Sequence, residues 1–280
     1  MVYLPVDDYC KKPQPIYMRR EVAIGVPSLA LATAGGLWVQ ALHTANASLP
    51  RFADLSASGI YGRAQGESIR ITVLGDSSLT GPGLQMGSEI WIAQLVDQLP
   101  FRVDLRSYAK GGSRVRDVLL HQAADAALTQ PDLFVVAVGS NDALHATSTR
   151  LFKRDLEALL SLLCHIAPVM SLGVSDLSLI PRVPRTLRSL IAYRSATIDH
   201  IHTQVADGVS KVTRVPVREL SEARVKSCTT ELFAADRFHP NRLGHATWAE
   251  MFEPYLLQAL RGSAQSSAVL ASADFASATA

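Results

Sequence analysis

Residues 71–78 read Ile-Thr-Val-Leu-Gly-Asp-Ser-Ser, and the interpretation of the whole chain depends on them. The apolar run from Ile71 to Leu74 predicts a short buried strand. Ser77 follows this strand closely, and in an open α/β sheet the carboxyl ends of the strands are where ligands bind. Because Gly-Asp-Ser is also an ordinary turn sequence, the stretch alone leaves open both a nucleophile and a plain turn.

Strands and helices alternate along the chain from Arg70 onward. Short apolar or alternating runs predict strands at 71–74, 101–105, 132–138, 168–174 and 212–217. Apolar residues at helical spacing predict helices at 88–99, 115–128, 152–166, 186–205 and 242–260. The strand at 132–138, DLFVVAV, has the continuous apolar pattern of a central parallel strand that is covered on both faces. This alternation predicts an α/β fold with a doubly wound parallel sheet and helices on both faces.

Three polar or glycine-rich segments follow the first three predicted strands. Asp76-Ser77 follows the first strand, Gly111-Gly112 the second, and Gly139-Ser140-Asn141-Asp142 the third. Because the carboxyl ends of parallel strands meet at one edge of the sheet, we expect all three segments to lie at that edge. Unrelated turns would be scattered over both edges.

A further group of functional residue types lies late in the chain, where residues 236–240 read Asp-Arg-Phe-His-Pro. A serine hydroxyl needs a base within hydrogen-bond reach, and histidine exchanges protons near neutral pH. We therefore predict Ser77 as the nucleophile, His239 as the general base and Asp236 as the residue that orients the imidazole. Taken singly, Asp236 could instead cap the next helix, and His239 could be a structural or surface residue.

An acyl-transfer site also needs hydrogen-bond donors for the oxyanion of the tetrahedral intermediate. The candidates at the predicted edge are the backbone N–H groups of Ser77 and Gly112 and the side-chain amide of Asn141. Glycine at position 112 would let the main chain approach a substrate closely. The alternatives are a plain turn at Gly111-Gly112 and a helix N-cap at Asn141-Asp142.

Together these residues resemble the SGNH hydrolases, also called the GDSL esterase and lipase superfamily, over about residues 70–255. The matching blocks, in chain order, are Gly75-Asp76-Ser77, Gly112, Gly139-Ser140-Asn141-Asp142 and the segment 236–240. The chain departs from many members at Ser78, where they carry leucine directly after the nucleophile. Four blocks in this order form a more specific signal than any one of them alone.

The resemblance implies a three-layer α/β/α, flavodoxin-like fold and ester hydrolysis that needs no metal or other cofactor. It assigns catalysis to Ser77, Asp236 and His239, and the oxyanion hole to Ser77, Gly112 and Asn141. The substrate would be a small-molecule or lipid ester. The activity could be that of a carboxylesterase or lipase, a carbohydrate O-deacetylase, or a lysophospholipase or thioesterase. The alternative from a different functional class is a non-catalytic protein, a membrane-tethered binding module with an inactive triad.

The composition limits which classes of protein and which partners are consistent with this chain. The chain has 280 residues, and 48% of them are apolar, which is enough for a sizeable core. The net charge of +2 and the 6% of aromatic residues give no support to a nucleic-acid partner. Cys10, Cys164 and Cys228 are too few and too scattered for a disulfide framework, and no cysteine–histidine pair has zinc spacing. We interpret His245 as a structural or surface residue, and no feature indicates the oligomeric state.

The N-terminal part of the chain contains an uncharged stretch, Val22–Leu42, of about the length that spans a bilayer. Arg19 and Arg20 precede it, and basic residues in this position favour a cytoplasmic N-terminus. Ala45-Asn46-Ala47 fits a signal-peptide cleavage site. Three interpretations stay open: a single-pass anchor, a cleaved signal peptide and an apolar helix packed on the domain. The first two predict a membrane-anchored or secreted protein rather than a cytoplasmic one.

Composition also divides the chain into four parts. Residues 1–47 form a basic leader with the apolar segment, and residues 48–69, rich in serine, glycine and alanine, are predicted to be a linker. Residues 70–260 are predicted to form the hydrolase domain. The serine- and alanine-rich residues 261–280 have little to bury, which predicts a disordered tail.

Overall fold

The computed structural model describes residues 50–63, 68–227 and 231–263. The predictions for the apolar segment at 22–42, for the cleavage site at 45–47 and for all but the first residues of the tail lie outside these ranges. Within the described residues, no helix has both the length and the apolar character needed to cross a bilayer.

The centre of the fold is a sheet that has six strands within the described ranges. The strands are β1 Gly59–Gly62, β2 Ser68–Gly75, β3 Arg102–Ser107, β4 Leu133–Ala137, β5 Val169–Leu172 and β6 Val212–Val215. Their spatial order is β1-β3-β2-β4-β5-β6. Strands β2 to β6 are all parallel, whereas β1 lies antiparallel to β3 at the sheet edge. The prediction of a doubly wound, flavodoxin-like parallel sheet is therefore confirmed.

Helices cover both faces of this sheet. They are α1 Trp91–Asp97, α2 Val115–His121, α3 Ala123–Ala127, α4 Ser140–Leu144, α5 Thr149–Cys164, α6 Arg188–Gly208, α7 Val217–Ser227 and α8 Arg242–Leu260. Alternate strand residues face opposite layers: Val135 packs with α1 and α8, while its neighbours Phe134 and Val136 pack with α2, α3, α5 and α6. The result is a sheet between two helical layers.

The order of the strands reverses between β2 and β4, which are neighbours in the centre of the sheet. Crevices of this kind, beyond the carboxyl ends of the strands, are where α/β sheets bind ligands. The two backbones approach closely here, since a Cβ atom at Gly75 would lie 2.2 Å from the carbonyl oxygen of Ala137. Glycine is therefore required at the end of β2, directly before Asp76-Ser77.

Three elements differ from the prediction. Residues 59–62 lie within the predicted linker but form β1, a four-residue strand bounded by glycines that gives no periodic signal. Helix α7 was not predicted, because its sequence VRELSEARVKS is mostly polar. The predicted helix at 115–128 is interrupted at Gln122, whose buried side chain bonds both the N–H (2.8 Å) and the carbonyl (3.0 Å) of Gly75. This tertiary contact outweighs local helix propensity.

Candidate active site

Ser77 begins a short 3-10 helix, Ser77–Leu79, directly beyond β2. The side chain of Asp76 caps this helix by accepting a hydrogen bond from the N–H of Ser78 at 3.0 Å. Asp76 is buried, and burial raises the pKa of its carboxyl group, while the bond from Ser78 and the nearby His239 act in the opposite direction. Asp76 thus fixes the backbone that presents Ser77 rather than facing solvent itself.

Asp236 and His239 form a close pair in the loop before α8. The Oδ1 atom of Asp236 accepts the N–H groups of Phe238 (3.0 Å) and His239 (3.1 Å), and its Oδ2 atom lies 2.6 Å from Nδ1 of His239. Burial alone would raise the pKa of Asp236, but the bonds from the His239 ring and the two N–H groups outweigh it and lower that pKa. An ionised carboxylate only accepts hydrogen bonds, so Nδ1 of His239 carries a hydrogen in this contact.

Backbone hydrogen bonds hold this loop in a tight turn. Ala234 donates to the carbonyl of His239 at 2.8 Å, and Arg237 donates to the carbonyl of Ala234 at 2.8 Å. Arg237 adopts a left-handed conformation with φ of 58°. Asn241 ends the loop and caps α8 by accepting the N–H of Gly244 at 3.0 Å. Asp236 therefore does not cap α8, which removes the alternative role considered for it from the sequence.

Asn141 connects the segments that follow three neighbouring strands. It lies in α4, just beyond β4, and its side-chain amide donates to the carbonyl of Ser113 (3.1 Å) and to Oδ2 of Asp76 (3.3 Å). Gly139, with φ of +115°, occupies the N-cap position of α4, so Asn141 is not the cap. The buried Asp142 accepts the N–H of Val115 at 2.9 Å, at the start of a different helix, α2.

Gly112 lies at the exposed surface next to Ser113, the backbone partner of Asn141. Its φ of +78° is in the left-handed region that favours glycine, and a Cβ atom there would meet no other atom within 4 Å. The N–H of Gly111 donates to Asp54 at 2.8 Å, whereas the N–H of Gly112 has no acceptor among the described residues. The site thus offers one uncommitted backbone donor in this loop.

A cavity with a volume of about 110 Å³ opens beside these residues. Its polar end is formed by residues 76–78, Ser140 and Asn141. Gly112 and His239 do not line the cavity, although Phe238 and Pro240, the two neighbours of His239, do. The rest of the wall is mainly apolar and includes Leu144, Leu177, Leu179, Ile180, Leu232, Phe233, Trp248 and Met251. Leu177, Leu179 and Ile180 come from one apolar loop, 174–185, whose sequence is consistent with acyl chains, whereas the other wall residues come from widely separated segments without a sequence motif.

His245 is a buried structural residue. Its Nδ1 atom accepts the N–H of Trp91 at 3.2 Å, at the start of α1, and the indole Nε1 of Trp91 donates to the carbonyl of Ser78 at 3.0 Å. Burial, with a smaller contribution from His239, lowers the pKa of His245 to about 3, so the ring is neutral. His245 therefore supports the backbone behind Ser77, and within the described ranges no group of three or more metal-ligating side chains is present.

The fold has a three-layer α/β/α architecture, and the match to an esterase family defines this protein as an ester hydrolase. The chain belongs to the GDSL-like lipase/acylhydrolase family, whose profile matches residues 73–247. The resemblance to the GDSL superfamily inferred from four short motifs is therefore confirmed.

Individual relatives agree with this assignment. A GDSL-like esterase of Mycobacterium tuberculosis is 26% identical over 267 residues, covering 83% of this chain and 84% of the relative. Among solved structures, TesA superimposes with a TM-score of 0.57 at 21% identity, covering 68% of this chain and 99% of TesA. An acetylxylan esterase from Geobacillus stearothermophilus gives a TM-score of 0.51 at 16% identity, covering 69% of this chain and 96% of that enzyme. At these identities the two structures establish the fold.

Proposed function

We propose that this protein hydrolyses carboxylic esters through an acyl-enzyme intermediate, with Ser77, His239 and Asp236 as a catalytic triad. The observation that carries the proposal is the 2.6 Å contact between Asp236 and Nδ1 of His239. That pair orients the imidazole beside the loop that carries Ser77, since Phe238 and Pro240, the two neighbours of His239, line the same cavity as Ser77. This is the arrangement that activates a serine hydroxyl.

In the proposed reaction, Oγ of Ser77 attacks the ester carbonyl carbon while Nε2 of His239 accepts the hydroxyl proton. Asp236 stabilises the resulting imidazolium without taking the proton itself. Collapse of the tetrahedral intermediate breaks the ester C–O bond, and His239 returns the proton to the leaving alcohol. Water then attacks the acyl-Ser77 ester by the same route, which releases the carboxylic acid and restores the hydroxyl group.

The oxyanion of each intermediate would be bound by the N–H groups of Ser77 and Gly112 and by the amide of Asn141. Both amide hydrogens of Asn141 are engaged in the free protein, but the bond to Asp76, at 3.3 Å, is the longer one. An oxyanion accepts a stronger hydrogen bond than the ester carbonyl oxygen from which it forms, and the long bond to the Asp76 carboxylate is the one of the two that it would displace. We therefore assign that hydrogen to the intermediate.

Replacing Asn141 by alanine should lower kcat by a factor of about 10²–10³ and leave KM nearly unchanged, because the donor acts on the transition state. Steady-state kinetics on a soluble ester measure both constants. Ser140→Ala is the matched control, since Ser140 lines the same end of the cavity without carrying an amide. A rise in KM with kcat preserved would make Asn141 a substrate-binding residue instead.

The apolar wall of the cavity favours an acyl chain over a polar sugar as the group bound beside Ser77. Removing apolar surface from water contributes about 0.8 kcal/mol for each buried methylene, so each added carbon that the cavity accepts should strengthen binding. An O-deacetylase would need free polar groups for the sugar. Beyond the Ser77 end, the polar lining residues are Ser175, Asp176, Ser221 and Thr247, and the last three already bond other protein groups. We therefore propose an esterase or lipase for acyl esters longer than acetate.

A chain-length series of p-nitrophenyl esters, run beside acetylated sugars, tests this preference. We expect kcat/KM to rise from acetate by roughly threefold to fourfold per methylene until the cavity is filled. Met251→Trp, which places a larger side chain in the wall of the cavity, should shorten the preferred chain, while activity on acetate is retained. Faster turnover of acetylated sugars than of any acyl ester would favour the carbohydrate O-deacetylase.

A further inference from the structure

The N-terminal end of the described chain lies across the edge of the sheet that carries the candidate active site. The carboxylate of Asp54 accepts the hydroxyl of Thr80 (2.7 Å) beyond β2 and the N–H of Gly111 (2.8 Å) beyond β3. The N–H of Leu55 donates to the carbonyl of Thr80 at 2.8 Å. Residues 50–58 therefore join the domain at the carboxyl ends of the strands, beside Ser77.

The chain that precedes this segment limits how the domain can be oriented. Only residues 43–49 separate Pro50 from the apolar stretch 22–42. Eight steps of extended chain span at most about 28 Å. A compact domain of this size is on the order of 45 Å across. If the apolar stretch occupies a bilayer, this tether is too short for the fully inverted orientation, in which the carboxyl edge of the sheet points directly away from that bilayer.

This edge exposes large apolar side chains that are unusual on a protein surface. Phe52 is 37% exposed, Met86 57%, Leu190 54%, Tyr193 69% and Leu243 54%. Phe52 lies in the segment 50–58 that joins the domain at this edge, and the other four lie at or near the start of a helix or in a loop beyond a strand. We call these five residues, together with the arginines described next, the rim surface. Clustered exposed apolar residues commonly mark an interaction site.

Exposed arginines are interspersed with these apolar residues. They are Arg51, Arg185, Arg188, Arg237 and Arg242. The segment 181–190, PRVPRTLRSL, contains no acidic residue. Near Arg237 the carboxylate of Asp236 is buried, and Arg242 stays 80% exposed although its Nε lies 3.6 Å from Glu89. The exposed Asp54 and Glu231 also lie at this edge, but the arginines outnumber them, so the rim surface is both apolar and net cationic.

A series of contacts connects Phe52 with Arg237 and with the segment that leads into α6. A Cβ atom at Gly83 would lie 3.2 Å from the Phe52 ring and 2.8 Å from Cβ of Ala234, so these residues are neighbours. Ala234 is bonded to Arg237, whose carbonyl accepts the N–H of Arg182 at 3.0 Å. From there the short segment 183–187 leads into α6, which carries Arg188, Leu190 and Tyr193.

The opposite edge of the sheet lacks this combination. Leu128, 81% exposed, and Leu162, 43% exposed, are the apolar side chains there. The exposed charges are nearly balanced, with Asp97, Asp125 and Asp207 against Arg63, Lys211 and Arg261. The asymmetry gives the domain one edge that matches an anionic, partly apolar surface and one that does not.

We infer that the rim surface docks on an anionic lipid bilayer, so that the cavity beside Ser77 opens toward the membrane. Leucine, phenylalanine and tyrosine side chains insert at the headgroup level, while arginines bind anionic lipids, each strengthening the attraction by about fivefold. The consequence for catalysis rests on the proposed function: the natural ester substrate would pass from the bilayer into the cavity rather than from bulk water.

The test uses the full chain reconstituted into vesicles of phosphatidylcholine with phosphatidylglycerol and nitroxide-labelled lipid. In a Cys10→Ser, Cys228→Ser background, a polarity-sensitive fluorophore is attached at Leu190→Cys, or at Leu128→Cys as the matched control. Burial raises the pKa of the remaining thiol, Cys164, to about 11, which keeps it unreactive. We expect strong quenching at position 190 and little at position 128. Tyr193→Cys replaces Leu190→Cys if that variant does not fold.

Equal quenching at positions 190 and 128, or none at 190 and 193, would overturn the inference. Replacing both Arg185 and Arg188 by glutamine should shift the docking equilibrium toward the undocked state by about thirtyfold. Vesicles of phosphatidylcholine alone should weaken docking similarly, and unchanged quenching on them would contradict an anionic partner.

Hydrolysis of a soluble ester separates this inference from the proposed function. We expect the Arg185→Gln, Arg188→Gln variant to retain that activity and to lose turnover of a vesicle-borne ester, while Ser77→Ala should dock normally. Docking without any ester hydrolysis would refute the proposed function alone. Hydrolysis of the soluble ester without docking would refute the membrane inference alone.

Discussion

Replacing Ser77 by alanine should abolish ester hydrolysis, lowering kcat by a factor of about 10⁶. The reason is that the acyl-enzyme cannot form without the hydroxyl group, and only binding and oxyanion effects are left to accelerate attack by water. The variant should remain folded, because Ser77 is only half-buried and its side chain makes no hydrogen bond to another described residue. Initial rates on a p-nitrophenyl ester, with thermal unfolding measured in parallel, check both expectations.

Ser78→Ala is the matched control for this variant. Ser78 follows in the same short helix and lines the same cavity, and its buried Oγ atom has no hydrogen-bond partner among the described residues. Its capping N–H, which donates to Asp76, is retained in alanine. We therefore expect nearly full activity. Wild-type turnover by a folded Ser77→Ala protein, or loss of activity on Ser78→Ala alone, would contradict the assignment of the nucleophile.

His239→Ala should reduce kcat about as strongly as Ser77→Ala, and combining the two changes should cost little more. Residues that act as one catalytic unit are strongly non-additive, since removing either member already removes the unit. The side chain of His239 is 22% exposed, and the buried Asp236 keeps the N–H groups of residues 238 and 239 as donors, so the loss in the free energy of unfolding should be smaller than for a fully buried histidine. A single and double variant series measured on one substrate provides the comparison.

His245→Ala is the contrasting histidine variant. His245 is fully buried and accepts the N–H of Trp91 at the start of α1, so its removal leaves a cavity and an unpaired buried donor. We expect a loss of about 2–4 kcal/mol in the free energy of unfolding. If His245→Ala abolished turnover at unchanged stability while His239→Ala stayed active, the general base would have been assigned to the wrong histidine.

Local patterns carried most of the fold prediction. The continuous apolar run at 132–138 marks β4 because a central parallel strand is covered on both faces. Helix α8 begins and ends at the predicted residues, since Asn241 and the preceding Pro240 mark its start clearly. Strand β1 and helix α7 were not predicted. A four-residue edge strand and a mostly polar helix show almost no periodicity of apolar residues.

In the candidate site, only the residues that belong to sequence motifs could be predicted. Ser77, Asn141, Asp236 and His239 stand out because their residue types match the chemistry and their positions follow the order of the strands. The roles of Asp54 and Asp142, and the side-chain bonds of Gln122 to Gly75, depend on contacts between residues far apart in sequence. Such contacts leave no local pattern, and neither does most of the apolar cavity wall. The structure was needed to find them.

Covalent labelling with a fluorophosphonate tests the central claim, an activated Ser77, most directly. Such probes react only with a serine whose hydroxyl is deprotonated as it attacks, and they need no knowledge of the natural ester. Peptide mass spectrometry of the labelled protein should locate one adduct, on Ser77, and His239→Ala should prevent it. A folded protein that acquires no adduct would contradict the claim and favour the non-catalytic binding module, and an adduct on another serine would assign the nucleophile elsewhere.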